Sequence, residues 1–387
     1  MHFSSLSESL GGSKNPLYRI HEELKLDGRA VIDLVRGNVN EHGIEYPQDV
    51  LKDILQGAAE AARIYHPDSF GQPGAREAIA AYYGGRIPAN QIVVTPGTSV
   101  SYWYCFKLLA ESGDEVLTPQ PSYPLFDYIA RLCGVHLRYY RLREDQGWRI
   151  DLNYLEDQIT TKTRAIVLIS PHNPTGMVAS EDELRGLSEI ATRHRLPIIF
   201  DEVFSEFLFG IPSLPRPSDT GAPLVFTLNG FSKMFALAGM KIGWIGISGD
   251  ERIVAKAMTA LEMISDTFLP VNEIAQFAAP QVFKHGQDFL KNYQHQIRAC
   301  RQAALDGLAG LSKMLVEPSG GFYITLKILQ DEETVAEGLL REAQILTHPG
   351  FFYDIKPDHL VMTFIHEPEV VRRCFGKIAE FVCRRGL

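Results

Sequence analysis

The sequence predicts an α/β protein, with a large unit built on a mostly parallel sheet and a smaller α+β unit. Two features of its 387 residues support this prediction. In the middle of the chain, short runs rich in β-branched residues alternate with amphipathic stretches, a pattern typical of parallel strands joined by crossover helices. Beyond Pro270 this alternation stops, and a long helix precedes isolated strands. A chain of this length also favours two units that share an interface.

The large unit is predicted to contain seven strands and five helices. The strands span residues 92–95, 115–118, 136–142, 165–170, 197–200, 224–228 and 242–247. The helices span residues 99–110, 123–133, 152–159, 181–194 and 251–264. The helix at 181–194 carries Leu184, Leu187 and Ile190 at a spacing of three residues, which is typical of one buried face.

The smaller unit is predicted from the remaining elements. They are a helix at 286–308, strands at 322–326 and 360–364, and a closing helix at 367–382. We therefore expect a large domain at 45–270 and a small domain at 271–387. Residues 1–44 are expected to form an arm with one helix, which could pack on either domain.

Composition narrows the class of function. The formal charge of −9, from 38 basic and 47 acidic residues, argues against a nucleic-acid partner. The five cysteines are scattered without a CxxC pair or metal-ligand spacing, so we expect reduced thiols, no metal site and a cytoplasmic protein. We find neither a secretory signal nor an apolar run long enough to cross a bilayer.

Two glycine- and proline-rich segments follow predicted strands. Gly97 would let the backbone come close to a ligand, and Thr98 and Ser99 would open a helix whose free N–H groups suit a phosphate. The alternative is an ordinary helix cap. The second segment is SPHNPTG at residues 170–176, where prolines on both sides hold Asn173 rigidly as a hydrogen-bonding amide. Its alternative is a simple turn.

An acid and a lysine follow two further strands. Asp201 ends an apolar strand, and a buried carboxylate requires a partner because desolvation of its charge is costly. A cationic ring nitrogen is one such partner, and an arginine or a helix N-terminus is the alternative. Lys233 lies between an apolar strand and the segment FALAG at 235–239. Most lysines are solvated surface groups, but one in such surroundings tends toward a lowered pKa and becomes a usable nucleophile and base.

The order of these motifs resembles that of the class I/II aminotransferases, the aspartate-aminotransferase-like enzymes of fold type I that use pyridoxal 5′-phosphate. The resemblance covers nearly the whole chain. It rests on Tyr65, GQPGARE at 71–77, NPTG at 173–176, DEV at 201–203, Ser232-Lys233, GGFY at 320–323 and HPG at 348–350. Each motif is weak alone, but the ordered set is specific. It implies a seven-stranded, mostly parallel sheet in the large domain.

The resemblance also implies roles for individual residues. Lys233 would carry the cofactor as a Schiff base, and Asp201 would pair with its ring nitrogen. Asn173 would donate to the ring's O3′ oxygen, and Tyr123 would stack on the ring face. The other implied cofactor-binding residues are Gly97, Thr98, Ser99, Ser232, Lys241 and, from a neighbouring subunit, Tyr65.

Four positions depart from the family pattern. Phe204 replaces a tyrosine that would donate to O3′, and Gly230 replaces a serine. Lys241 replaces the phosphate-binding arginine, which keeps the charge but loses the bidentate fork. Val361 stands where the family has the arginine that binds the substrate α-carboxylate. Either another cation, such as Arg36 or His42, takes that role, or the substrate is held differently.

The predicted activity is ping-pong transfer of an amino group between an amino acid and a 2-oxo acid, by a homodimer. The missing arginine keeps a pyridoxal-phosphate-dependent lyase, cyclase or decarboxylase open as an alternative. A regulatory module that binds the cofactor without catalysis is disfavoured, because the arm is short, non-basic and without a helix-turn-helix pattern. A nicotinamide dehydrogenase is disfavoured further, because no GxGxxG motif follows a strand.

Overall fold

The computed structural model describes residues 2–9 and 15–384. Its helices are α1 (Ser5–Ser9), α2 (Pro16–Leu26), α3 (Gln48–Ala61), α4 (Pro73–Tyr82), α5 (Thr98–Leu109), α6 (Leu125–Cys133), α7 (Leu152–Asp157), α8 (Glu181–His194), α9 (Phe231–Met234), α10 (Glu251–Asp266), α11 (Glu273–His285), α12 (Gln287–Gly307), α13 (Glu332–Gly338) and α14 (Pro368–Arg384). Its strands are β1 (Ile32–Asp33), β2 (Ile92–Thr95), β3 (Glu115–Gln120), β4 (His136–Arg143), β5 (Arg149–Ile150), β6 (Thr163–Ile169), β7 (Ile198–Asp201), β8 (Leu224–Gly230), β9 (Gly243–Gly249), β10 (Tyr323–Lys327), β11 (Ile345–Leu346), β12 (His348–Pro349) and β13 (His359–Thr363).

The main sheet contains eight strands in the order β2-β9-β8-β7-β6-β3-β4-β5. Strands β8, β7, β6, β3 and β4 are parallel, whereas β9 is antiparallel to both of its neighbours. The seven predicted strands are therefore present in one mostly parallel sheet. The eighth, β5, has only two residues, which is too short to show a sequence pattern.

The strand order reverses where β3 lies between β4 and β6. In open α/β sheets ligands bind beyond the carboxyl ends of the strands near such a reversal. The loops that follow β3, β6, β7 and β8 all leave from this edge. The topology thus brings together segments that lie far apart in the sequence.

Hydrophobic residues on both faces of the main sheet are covered by helices. One cluster joins α5, α6 and α10 to one face, and another joins α7 and α8 to the other. A third cluster packs α3, α4 and α11 beside β2 and β9. These three helices were absent from the sequence prediction.

The arm packs against the C-terminal elements. Leu17, Ile20 and Leu24 of α2 join a core formed with α12, α14, β10 and β13. Strand β1 pairs in parallel with β11, and β10, β13 and β12 form a separate antiparallel sheet. The arm contains two helices and a short strand, so the prediction of a single helix there was wrong. The domain boundaries at residues 44 and 270 stay a prediction.

No helix in the described part of the chain is long and apolar enough to span a membrane.

Candidate active site

A cavity of about 530 Å³ opens at the carboxyl edge of the main sheet. It is lined by parts of the arm, by the start of α5, by the ends of β6, β7 and β8, and by β10. Eight of the residues predicted for the site line it: Gly97, Thr98, Ser99, Tyr123, Asn173, Asp201, Ser232 and Lys233. These residues come from five separate segments of the chain, which the sheet topology brings together.

Lys233 lies in α9, directly after β8, and its amine faces the cavity. Nζ donates a hydrogen bond to the Gly37 carbonyl oxygen at 2.7 Å and lies 5.9 Å from the centre of the Phe204 ring. Burial lowers the pKa of Lys233 to about 8, because the ammonium loses hydration without gaining an anionic partner. A sizeable fraction of the amine is therefore neutral near pH 8 and can act as a nucleophile or a base.

Asp201 is buried at the end of β7. The Tyr102 hydroxyl donates to Oδ2 at 2.8 Å, and the Val203 backbone N–H donates to Oδ1 at 3.0 Å. Burial still raises the pKa of Asp201 to about 6, since these two bonds offset only part of the desolvation. A cation placed beside the carboxylate would stabilise its charged form.

Asn173 lies in the loop after β6 and is 8% exposed. Its Oδ1 atom is buried and accepts no hydrogen bond within the described structure. The loop is anchored to the C-terminal part of the chain, because the Thr325 hydroxyl donates to the Pro174 carbonyl oxygen at 3.0 Å. A buried polar atom without a partner is costly, so this orphaned amide oxygen marks a place where a ligand would add a contact.

The segment at the start of α5 has the backbone geometry of an anion site. Gly97 precedes the helix with φ of +124°, a conformation that favours glycine. It also lies close to Gly243, where an added Cβ atom would be 2.8 Å from the Gly97 Cα atom. No side chain caps the helix, so the first N–H groups of Thr98 and Ser99 remain open toward the cavity. This observation disfavours the interpretation that Thr98 and Ser99 form an ordinary helix cap, because neither side chain caps the helix.

The structure does not bring Lys241 or Tyr65 into this cavity. Lys241 is exposed in a left-handed conformation and lines a separate hollow that includes Tyr46 and Asn272. Tyr65 is 66% exposed and lines another hollow beside Gln276. Lys241 therefore lies outside the cavity of its own chain. Tyr65 was predicted to act in the cavity of a neighbouring subunit, so its role stays a prediction.

The sequence prediction missed other residues that line the cavity. Tyr323 of β10 is buried and lines the cavity, as do Gly37 and Tyr102. A Cβ atom at Gly37 would lie 3.2 Å from both Lys233 Nζ and the Tyr323 hydroxyl, so a side chain there would crowd both groups. The GGFY motif contained Tyr323, but nothing in the pattern indicated that its hydroxyl lies beside Gly37, the residue that accepts the Lys233 hydrogen bond.

Comparison with known proteins identifies the class. The model of the family Aminotransferase class I and II matches residues 29–378. The chain is 28% identical to glutamate-pyruvate aminotransferase AlaA of Escherichia coli K12, over 95% of this chain and 94% of that protein. It is 28% identical to alanine aminotransferase of Mycobacterium tuberculosis H37Rv, over 92% of this chain and 86% of that protein.

Solved structures agree with this result. An aminotransferase from Escherichia coli superimposes with a TM-score of 0.89 at 26% identity, over 99% of this chain and 98% of that chain. Alanine aminotransferase from Pyrococcus furiosus shares the fold with a TM-score of 0.91 at 24% identity, over 99% and 100% of the two chains.

Fold and family together define the protein as a transferase of amino groups. It belongs to the aminotransferase class I and II family. The family, the fold of the large domain and the enzyme class predicted from the sequence are therefore confirmed.

Proposed function

We propose that this enzyme uses pyridoxal 5′-phosphate to move an amino group between an amino acid and a 2-oxo acid by a ping-pong mechanism. The observation that carries this proposal is the meeting of the Lys233 amine and the buried Asp201 carboxylate in one cavity. The amine has a lowered pKa and the carboxylate a raised one, and both values follow from burial. Perturbed groups of this kind cluster at functional sites.

Each chemical group of this cofactor has a suitable residue in the cavity. Lys233 offers an amine for covalent attachment, and Asp201 offers a carboxylate without a cationic partner, as a pyridinium nitrogen requires. Asn173 faces the cavity with unsatisfied hydrogen-bonding capacity. Gly97, Thr98 and Ser99 offer open N–H groups for a phosphate, with Ser232 close by, and Tyr123 offers an aromatic face. The bound cofactor supplies an electron sink for the carbon from which a proton is removed.

The protein's own residues stabilise charge on the cofactor and move a proton on the substrate. Asp201, once paired with a cationic ring nitrogen, keeps that nitrogen protonated, and Tyr102 holds the carboxylate in place. When the Lys233 amine is free and neutral, it can take the proton from the substrate carbon and return it to a neighbouring atom. Gly37 accepts a hydrogen bond from this amine, so the arm aims it toward the cavity.

A lyase, cyclase or decarboxylase is the second candidate. The observation that favours it is the buried valine at position 361, where the family resemblance places an arginine that binds the substrate carboxylate. These reactions need not leave the amino group on the cofactor. Detection of pyridoxamine phosphate after mixing with an amino acid therefore separates the two candidates.

We also propose a homodimer in the cytoplasm. Ile64, Tyr65, Met263 and Phe268 are each at least 65% exposed. The Ser69 hydroxyl donates to Asp266 at 3.0 Å. This bond joins the segment that contains Ile64 and Tyr65 to the one that contains Met263 and Phe268. An exposed apolar patch of this kind is typical of a protein interface. Sedimentation equilibrium would test the dimer.

The test of the proposal is cofactor attachment. We expect purified protein with added pyridoxal 5′-phosphate to be yellow, and borohydride to fix the label on Lys233. Lys233→Ala should lose both the label and transamination. An exposed lysine variant, Lys52→Ala, is the matched control and should keep both. Lys233→Ala protein that retains full activity would refute the assignment.

A further inference from the structure

The cavity lacks an evident partner for a substrate carboxylate. Among its described lining residues, Lys233 is the single cation, and it is committed to the reacting centre. Val361, at the position where the sequence resemblance places an arginine, is 1% exposed and lies in β13 opposite Thr325 and His348. A partly desolvated carboxylate requires a compensating donor or cation. Another residue must therefore supply it.

His42 cannot supply a positive charge at neutral pH. Its Nε2 atom is buried and has no hydrogen-bond partner in the described structure, and its ring lies 3.8 Å from the His366 ring. Burial, and after it the nearby His366 ring, lower the pKa of His42 to about 4. The ring is therefore neutral at neutral pH.

Arg36 is the second of the two cations that the sequence offered for this role. It directly precedes Gly37, whose carbonyl oxygen accepts the Lys233 hydrogen bond, so its Cα atom lies about 3.8 Å from that of Gly37. The guanidinium is 63% exposed and is held only by long ion pairs, at 3.4 Å to Asp33 and 3.9 Å to Glu41. Exposed pairs of this kind contribute little, so the side chain can exchange them for a ligand at small cost.

Contacts through Tyr18 and His348 link the arm to position 361. The Tyr18 hydroxyl hydrogen-bonds to His348 Nε2 at 2.7 Å, and His348 lies directly opposite Val361. Burial raises the pKa of Tyr18, Asp33 raises it too, and the Arg36 guanidinium opposes both. The arm thus places Arg36 near Tyr18, whose hydroxyl contacts the residue opposite position 361.

We propose that Arg36 binds the carboxylate of the amino-acid substrate in place of an arginine at position 361. This inference rests on the proposed amino-transfer function. It makes Arg36 a specificity-determining residue: it favours a substrate with a carboxylate over the same substrate with a neutral carboxamide. Val361, being apolar, contributes no such discrimination.

The test uses the cofactor-loaded enzyme and two probes that cannot complete amino transfer, 2-methylalanine and 2-methylalaninamide. Neither has a proton on the carbon that bears its amino group, so calorimetric titration reports how tightly each probe is held, without turnover by amino transfer. We expect the wild type to prefer the acid. Arg36→Gln should weaken binding of the acid by about tenfold, the loss expected for a charge-assisted contact, and leave the amide unchanged. Arg36→Lys should retain part of the preference.

The matched control is Arg29→Gln, which removes another exposed arginine of the arm. This variant should bind both probes as the wild type does. Equal binding of the acid and the amide by the wild type, or an acid affinity unaffected by Arg36→Gln, would overturn the proposal for Arg36 while leaving amino transfer intact. Failure of the wild type to bind the cofactor would instead reject the proposed function, and this inference with it.

Discussion

The chemistry of single residues in this enzyme follows from where the fold buries them. Lys233 and Asp201 are ordinary in type, but burial shifts the pKa of each toward neutrality. Both residues could be predicted from the sequence, because each directly follows an apolar strand that ends at the ligand-binding edge of the sheet. The hydrogen bonds that join Lys233 to Gly37 and Asp201 to Tyr102 could not be predicted, since these partners lie 196 and 99 residues away in the chain.

The raised pKa of Asp201 predicts that ionisation of its carboxyl group lowers the free energy of unfolding of the cofactor-free protein, by an amount that depends on pH. The folded state binds the proton more tightly than the unfolded chain, because the pKa rises from 3.8 to about 6. The cost is therefore absent below about pH 4. It grows as the pH rises through this window and is complete above about pH 6.

Asp201→Asn removes this cost, since the amide does not ionise. We expect the cofactor-free variant to be more stable than the wild type at pH 8, by up to about 3 kcal/mol. The gain should shrink at pH 5. Urea unfolding at both pH values measures it, and an equal gain at both would contradict the explanation. The same variant should bind the cofactor more weakly.

At the scale of elements, the loop after β6 connects the site to the C-terminal part of the chain. Gly176 closes this loop with φ of +70°, and its carbonyl oxygen accepts hydrogen bonds from the Ser319 and Gly320 N–H groups, both at 2.8 Å. The sequence predicted a rigid loop from its prolines. It could not predict the surface against which the loop is held, because those contacts lie more than a hundred residues away.

Gly176→Ala should displace this loop. An added Cβ atom would lie 2.5 Å from Pro318 Cβ and 2.7 Å from the Tyr323 carbonyl oxygen. Gly221→Ala is the control, since Gly221 has a similar φ of +78° but nothing within 4 Å of such an atom. We expect Gly176→Ala to cost about 1–3 kcal/mol more stability than the control, the usual range for overpacking. Cofactor affinity should fall only in Gly176→Ala, because Asn173 belongs to the loop.

At the scale of the whole molecule, a buried polar network behind the site ties several elements together. Glu202 is fully buried next to Asp201 and accepts hydrogen bonds from Arg216 at 2.6 Å, Tyr83 at 2.9 Å and Asn229 at 3.2 Å. The network joins the residues that directly follow α4 and β7 to β8 and to the loop that precedes β8. It holds the end of β7, where Asp201 lies, and the end of β8, which α9 and Lys233 follow.

Arg216→Met should leave Glu202 as an unpaired buried charge. We expect a loss of about 3–5 kcal/mol in unfolding free energy. Adding Glu202→Gln should recover most of it, because the charge is then gone. Arg86→Met, which breaks the exposed pair with Asp219 at 3.5 Å, is the control and should change stability by less than about 1 kcal/mol. Urea denaturation compares the variants; no recovery in the double variant would mean that packing dominates.

The sequence alone determined the seven strands, their mostly parallel arrangement and the polar residues at their ends. These features are local, because hydrophobic periodicity and the residues that close a strand are set by neighbours in the chain. Only the tertiary structure decided which distant groups meet. It brought Tyr323 and Gly37 to Lys233, left Lys241 and Tyr65 outside the cavity, and made His42 neutral. Such contacts and pKa values depend on packing between segments, which no local pattern encodes.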